Sequence, residues 1–235
     1  VYNHYKRIMN KNNPQKQKSY PLRWFWLFCV VLAVLAAGGV FLCRCNPQAY
    51  QPAPVANPEQ VSGYLTHELG PEFINQVQLD EPFELIVRQD GLNDIINREG
   101  WDGQFDDFSF TQPVIIFDRN TIYLMGTLDY KGIASVLTII AQPQMNTEGL
   151  IHLNIQSIRL GMMPVTTLVT YLAQKAFDQS RDQFGDKRSE EMMQAIINGQ
   201  PFDPVFDIYD RTVRVTEMAI QPQQLILKFE PEPSP

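Results

Sequence analysis

The apolar positions of this chain begin with one long uninterrupted run. From Trp24 to Cys43 there are twenty residues without a charged or amide side chain. At about 1.5 Å of rise per residue, an α-helix of this length spans about 30 Å, the thickness of the hydrocarbon core of a bilayer. The run therefore predicts a transmembrane helix over residues 24–43, with Trp24 and Trp26 at the headgroup level of its basic end.

Further along, the apolar positions indicate β-strands separated by turn residues. Four strands of about ten residues, joined by short turns, are predicted to form an antiparallel meander. One strand precedes this meander and two follow it. The predicted strands cover residues 83–88, 108–117, 121–130, 133–142, 150–160, 211–219 and 224–229.

Helical spacing of apolar residues predicts one longer helix and several short ones. The longer helix begins at Pro164, a residue suited to a first helical turn, and continues to about Asp178. Shorter helices are predicted over residues 58–69, 92–98 and 191–198. Strands and helices that occupy separate parts of the chain predict an α+β domain.

The meander is apolar on much of both faces, whereas a sheet with one wet face alternates more cleanly. Two interpretations stay open: a helix covers the second face as an ordinary filled core, or the sheet lines an apolar groove. A groove would lie between the sheet and the helix that begins at Pro164. Its candidate residues are Ile122, Leu124, Leu128, Leu137 and Ile139 from the strands, Leu168, Tyr171 and Leu172 from the helix, and Met125, Met162 and Met163 at the rim.

The charge distribution indicates how the chain is oriented. Residues 1–23 carry six basic residues and no acidic one, while all 26 acidic residues follow the apolar run. This asymmetry predicts a cytoplasmic N-terminus and a C-terminal domain outside the cell membrane. A cleaved signal peptide is the alternative, but it has a shorter apolar region and small residues at its cleavage site, so an uncleaved anchor is favoured.

The predicted organisation has five parts: a cytoplasmic basic arm (1–23), the transmembrane helix (24–43), a Pro-rich linker that holds the domain off the membrane (44–57), the extracytoplasmic α+β domain (58–230) and a disordered tail (231–235). Cys43 and Cys45 follow the apolar run. They could form a disulfide, accept a lipid or link two chains, or they are two ordinary thiols.

The sequence contains none of the hydrolase, zinc-protease, nucleotide or dinucleotide motifs that we looked for. Asp102, Asp106 and Asp107 could bind calcium, but their spacing lacks the alternating ligands of an EF-hand, which favours a solvated acidic loop. We therefore expect no enzymatic activity, no cofactor and no metal. Scattered cations without interleaved aromatic residues also give little support to nucleic-acid binding.

Three segments carry a resemblance to a known family: FELIVRQDGLNDIIN from residue 83, the meander from residue 120 through GMMP at residue 164, and VRVTEMAI with QQLILKF near the end. Their order resembles that of the YpmS-like family of single-pass bacterial membrane proteins, and more distantly the tubular, BPI-like lipid-binding superfamily. The resemblance implies a long curved antiparallel sheet packed on one long helix, with an apolar groove able to hold acyl chains. The Pro-rich linker and the polar stretch 178–187 depart from it.

Two functional hypotheses follow. The first is a membrane-anchored domain that binds lipid or another apolar ligand without catalysis. The second is an accessory subunit of a larger membrane complex, in which the apolar sheet face and Gly38-Gly39 of the anchor pack against other integral membrane proteins.

Overall fold

A computed structural model of the chain describes residues 29–34, 37–39, 41–43, 47–52, 60–98, 103–105, 107–167, 169–170, 173–174, 187–208 and 210–232. The chain divides into two compact units, residues 1–40 and 41–235. The described residues between Cys29 and Cys43 are helical. In the described part of the chain, no helix is both long enough and apolar enough to cross a bilayer. Much of the predicted transmembrane helix, including residues 24–28, lies outside this part.

The predicted meander is present as the centre of a six-stranded antiparallel sheet. Its strands follow one another in chain order from β2 to β7. Two short strands that the sequence did not indicate, β2 and β7, extend its two edges. The strands are β2 (Gly103–Phe105), β3 (Phe108–Asp118), β4 (Thr121–Tyr130), β5 (Ile133–Met145), β6 (Ile151–Leu160) and β7 (Met163–Pro164).

The remaining strands form a separate sheet, so the prediction of one long sheet is wrong. The first strand of the domain pairs with the last, so the two closing strands belong to this sheet and not to that of the meander. This sheet has the order β1-β10-β9-β8 and is also antiparallel. Its strands are β1 (Phe83–Arg88), β8 (Val205–Ile208), β9 (Arg211–Gln221) and β10 (Gln224–Glu232). The described architecture is α+β with two antiparallel sheets and few helices.

A hydrophobic core lies on one face of the four-stranded sheet. Phe83, Leu85 and Val87 alternate with exposed residues along β1, as in a strand with one buried face. The rings of Phe83 and Phe229 stack with their centroids 5.0 Å apart. The other buried residues of this core are Val77, Ile151, Val213 and Val215.

The first helix of the domain is longer than predicted. A π-helical turn, Leu65–Leu69, leads directly into α1 (Gly70–Leu79), so the helix does not end at Leu69. Pro71 lies in the first turn of α1, where the missing N–H donor costs least. The helix ends at Asp80, which adopts a left-handed conformation with φ of 58°.

Two further predicted helices are present, each beginning earlier than expected: α2 (Gln89–Arg98) and α3 (Lys187–Ile197). Pro164 lies in β7, so the prediction that a helix begins at this residue is wrong. The described residues 166, 167, 169, 170, 173 and 174 are helical. The Val165 N–H donates to the Ile158 carbonyl at 2.8 Å, which holds the start of this segment beside β6.

Helix α2 closes a free edge of the six-stranded sheet. The Asn93 side-chain amide donates to the Ile115 carbonyl at 2.8 Å and accepts from the Ile115 N–H at 2.7 Å. The Gln89 amide oxygen accepts from the Phe117 N–H at 2.7 Å. β2 pairs with three residues at the start of β3. Further along β3, the side chains of Asn93 and Gln89 bond to backbone groups that a neighbouring strand would otherwise satisfy.

A polar cluster joins the start of the first helix to α2. Ser62 is fully buried, and its hydroxyl donates to the Asp94 carboxylate at 2.5 Å. Arg98 donates to the other oxygen of this carboxylate at 2.7 Å. The hydrogen bond from Ser62 and, after it, the one from Arg98 lower the pKa of Asp94, since both stabilise the ionised form.

Because the folded state lowers the pKa of Asp94, the stability from this cluster is present above the ordinary Asp pKa of 3.8 and is lost as the pH falls through the folded value. We expect Ser62→Ala to reduce the loss of stability that the chain shows between about pH 5 and about pH 3. Urea unfolding at the two pH values measures this. Thr66→Ala is the control, because the Thr66 hydroxyl bonds to the Ser62 carbonyl and to His67 but to no carboxylate. An equal pH response in wild type and Ser62→Ala would contradict the assignment.

Candidate ligand-binding face

The five strand residues proposed for a groove lie on one face of the six-stranded sheet. In the β4–β5 register Leu124 is opposite Ile139, and Leu137 is opposite Gly126, which lies midway between Leu124 and Leu128. Directly paired residues of antiparallel strands share a face, so the prediction that the five form one stripe is compatible with the register. We call these five the apolar stripe: Ile122, Leu124, Leu128, Leu137 and Ile139.

The stripe residues are less buried than several of their neighbours on both sides of the sheet. All five of its side chains are half-buried. Met125, Val136 and Thr138, which lie between stripe positions and point to the other side, are only 2–4% exposed. On the side of the stripe, Phe117, Ser135, Ala141 and Ile158 are 3–6% exposed, so both sides of the sheet are covered in part. Met125, predicted at the rim of the groove, lies on the side opposite the stripe. Of the two other predicted rim residues, Met162 is 62% exposed and Met163 is half-buried.

The stripe is uncharged across four neighbouring strands. The residues paired with stripe positions on β3, β4, β5 and β6 are all without charge. Besides the stripe residues themselves, they are Phe110, Ile115, Phe117, Gly126, Ser135, Ala141, Ile158 and Leu160. An uncharged apolar surface of this kind suits a hydrocarbon ligand, because no polar group has to be desolvated without a partner.

An aromatic ring lies over the middle of the stripe. A Cβ atom placed on Gly126 would collide with the ring of Phe110, so glycine is needed there for the ring to lie this close to β4. Sequence analysis missed Phe110 as a member of this face. A glycine inside a predicted strand was the available signal, since such a residue often marks a close approach of another group.

The end of the predicted transmembrane run contacts the same side of the sheet. Ser135, which pairs with Leu128 of the stripe, donates its hydroxyl to the Cys43 carbonyl. The Met162 N–H donates to the Leu42 carbonyl at 2.9 Å. Gly161, with φ of +59°, lies so near these two carbonyls that a Cβ atom would overlap them. The segment 41–43 is therefore fixed to the β6–β7 turn and to β5.

Tyr50, within the predicted linker, also contacts the sheet. Its hydroxyl is 2.9 Å from the Thr127 hydroxyl and donates to the Gln112 carbonyl at 3.1 Å. At this point the linker lies against β3 and β4 and does not stand clear of the domain. Cys43 is a free thiol, whereas its possible partner Cys45 lies outside the described residues.

The three helical residues predicted for the groove, Leu168, Tyr171 and Leu172, lie outside the described residues. A cleft of about 550 Å³ is present elsewhere, between the β3–β4 turn, the end of β5 and β9, and its lining is largely polar. It contains none of the stripe residues.

The described residues contain no group of three or more metal-ligating side chains. Asp107, one of three acids considered for calcium, is paired with Lys131 at 2.8 Å, and the other two lie outside the described residues. The hydrogen bond that the Lys131 ammonium donates to the Asp107 carboxylate raises the pKa of Lys131. No titratable group is among the residues of the stripe or their strand partners.

Comparison of the chain with protein-family models, with curated proteins and with solved structures finds no match.

Proposed function

We propose that this protein is a membrane-anchored extracytoplasmic domain that binds a lipid acyl chain, or a similar apolar ligand, along the stripe. The observation that carries the proposal is the position of the stripe: five half-buried, uncharged side chains on one sheet face, beside the segment Phe41–Cys43 that ends the apolar run. A hydrocarbon ligand gains about 0.8 kcal/mol for each CH₂ group that it removes from water.

The dimensions of the stripe agree with one acyl chain. At about 3.3 Å per residue, the distance along β4 from Ile122 to Leu128 is about 20 Å. One leaflet contributes about half of the 30 Å hydrocarbon core, so a leaflet's acyl chain is about 15 Å long. A single chain therefore matches the stripe in length, and at Gly126 it would take the place that the Phe110 ring now fills.

The finer fold assignment, to the YpmS-like family and the tubular lipid-binding superfamily, belongs to this proposal. It is supported by the long antiparallel strands and by the segment 89–93, whose Gln89 and Asn93 hold α2 against β3. The division of the strands into two sheets differs from the single curved sheet that the resemblance implies.

A second candidate function is that of an accessory subunit in a membrane complex. The observation that favours it is the open space at Gly38 and Gly39, where an added Cβ atom would meet nothing within 4 Å. Small residues of this kind let the backbones of two membrane helices approach closely. In this case the apolar stripe would be covered by a partner protein.

The predicted topology has a direct test. In a chain whose three native cysteines are replaced by alanine, we expect Glu148→Cys, in the exposed β5–β6 turn, to react with a membrane-impermeant thiol reagent in intact cells. Ser19→Cys, in the basic arm, should react only after lysis and is the matched control. Protection of Glu148→Cys until lysis would contradict an extracytoplasmic domain.

A further inference from the structure

The contacts of Leu42 and Cys43 fix the depth of one end of the domain relative to the proposed bilayer. If residues 24–43 span the hydrocarbon core, as the proposed anchor requires, Cys43 lies at one of its boundaries. The backbone of Met162 is hydrogen-bonded to Leu42, and the side chain of Ser135 to Cys43. The β6–β7 turn and the start of β5 must therefore lie within a few ångströms of the same boundary.

Exposed apolar side chains are found at this end of the domain. Met162 is 62% exposed, and Ile133 and Tyr130 are 58% and 42% exposed. Ile133 lies two residues before Ser135, about 7 Å along β5 on the same face, and Tyr130 is its direct partner on β4. Single exposed apolar residues are ordinary, but several together beside an anchor indicate a contact surface.

We propose that Tyr130, Ile133 and Met162 form a membrane-contact surface whose side chains enter the boundary between headgroups and acyl chains. This inference rests on the proposed anchor. Ile and Met contribute apolar area, and Tyr has the amphipathic ring that favours this depth. Lys131 lies between Tyr130 and Ile133 in the sequence. Its ammonium is 5.3 Å from the centre of the Tyr130 ring and is paired with Asp107. Its long side chain can direct the charge toward the phosphates.

The surface adjoins the apolar stripe. Leu128 of the stripe pairs with Ser135, which contacts Cys43. One end of the stripe therefore lies beside the contact surface, next to the segment Phe41–Cys43. Residues 44–235 are strongly acidic, with 13 basic and 26 acidic residues, so this contact depends on apolar insertion and does not require anionic lipids.

The test uses the full chain reconstituted in phosphatidylcholine vesicles whose acyl chains are brominated near the glycerol. Trp24, Trp26 and Trp101 are replaced by Phe, and a single tryptophan is introduced as Ile133→Trp or Met162→Trp. We expect bromine to quench both tryptophans, with a loss of fluorescence relative to vesicles of unbrominated lipid. Ile86→Trp is the control, because Ile86 is 43% exposed but lies on the four-stranded sheet.

Carbonate extraction of the same vesicles separates the two possible failures. If the chain resists extraction and the tryptophans at 133 and 162 are quenched no more than the one at 86, the contact surface is refuted and the anchor stands. If carbonate releases the chain, the anchor is refuted, and the contact surface with it.

Discussion

Replacing Asn93 with leucine is expected to destabilise the domain by about 2–5 kcal/mol, because it leaves two backbone groups of β3 without a partner. The Asn93 amide now satisfies both the N–H and the carbonyl of Ile115, at 2.7 and 2.8 Å. Leucine has a similar volume but can neither donate nor accept a hydrogen bond. Urea unfolding of the full chain in detergent, followed by circular dichroism, measures the change.

Asn97→Leu is the matched control on the same helix. The Asn97 amide donates only to the Asn93 carbonyl one turn earlier, at 2.8 Å. Its loss should cost no more than about 1 kcal/mol, the typical net value of one hydrogen bond. Equal destabilisation by the two substitutions would show that α2 does not close the edge of β3 through Asn93.

The second large effect is expected on ligand content. Leu137→Trp places a bulky ring on the apolar stripe, and we expect it to abolish most of the lipid that copurifies with the wild-type chain. Because Leu137 is half-buried, the larger side chain can be accommodated, and the unfolding temperature should change little. Lipid extraction with mass spectrometry measures the first quantity, and thermal unfolding in the same detergent measures the second.

Val136→Trp shows what the same change does in a filled core. Val136 is the preceding residue, lies on the other side of β5 and is 2% exposed. Overpacking a site of this kind costs about 1–3 kcal/mol. If Leu137→Trp destabilises the domain as strongly as Val136→Trp, the stripe is an ordinary core and the groove hypothesis should be abandoned.

The meander could be predicted because its signals are local. Asp118-Arg119-Asn120 and Lys131-Gly132 separate strands of about ten residues, and the structure shows positive φ at Asn120, Lys131 and Gly132. Turn residues of this kind act within a few positions of the chain. The stripe residues share one face because successive side chains of a strand alternate between its two sides, which is also a local property of the chain.

The division into two sheets could not be predicted, because it depends on pairing between distant segments. β1 pairs with β10 across more than a hundred residues, and the four-residue β8 pairs with β9. Helix α1 was missed for a different reason. The predicted helix ended at about Leu69, whereas Pro71 lies in the first turn of α1, a place that is compatible with a helix start.

Sequence analysis also missed the contacts that connect the stripe to the end of the apolar run. Ser135 and Cys43 are 92 residues apart, and no periodicity relates them. The same holds for the Phe110 ring over Gly126, and for the amide of Asn93 at the backbone of Ile115. Each is a side chain meeting a distant segment, and only the folded chain brings the two together.

Native mass spectrometry of the full chain, purified in a mild detergent from its membrane, is the most direct test of lipid binding. The proposal predicts a mass increment equal to one phospholipid, present in the wild-type chain and lost in Leu137→Trp. A chain that carries no lipid and is recovered in a fixed ratio with a second membrane protein would contradict lipid binding and support the accessory-subunit function.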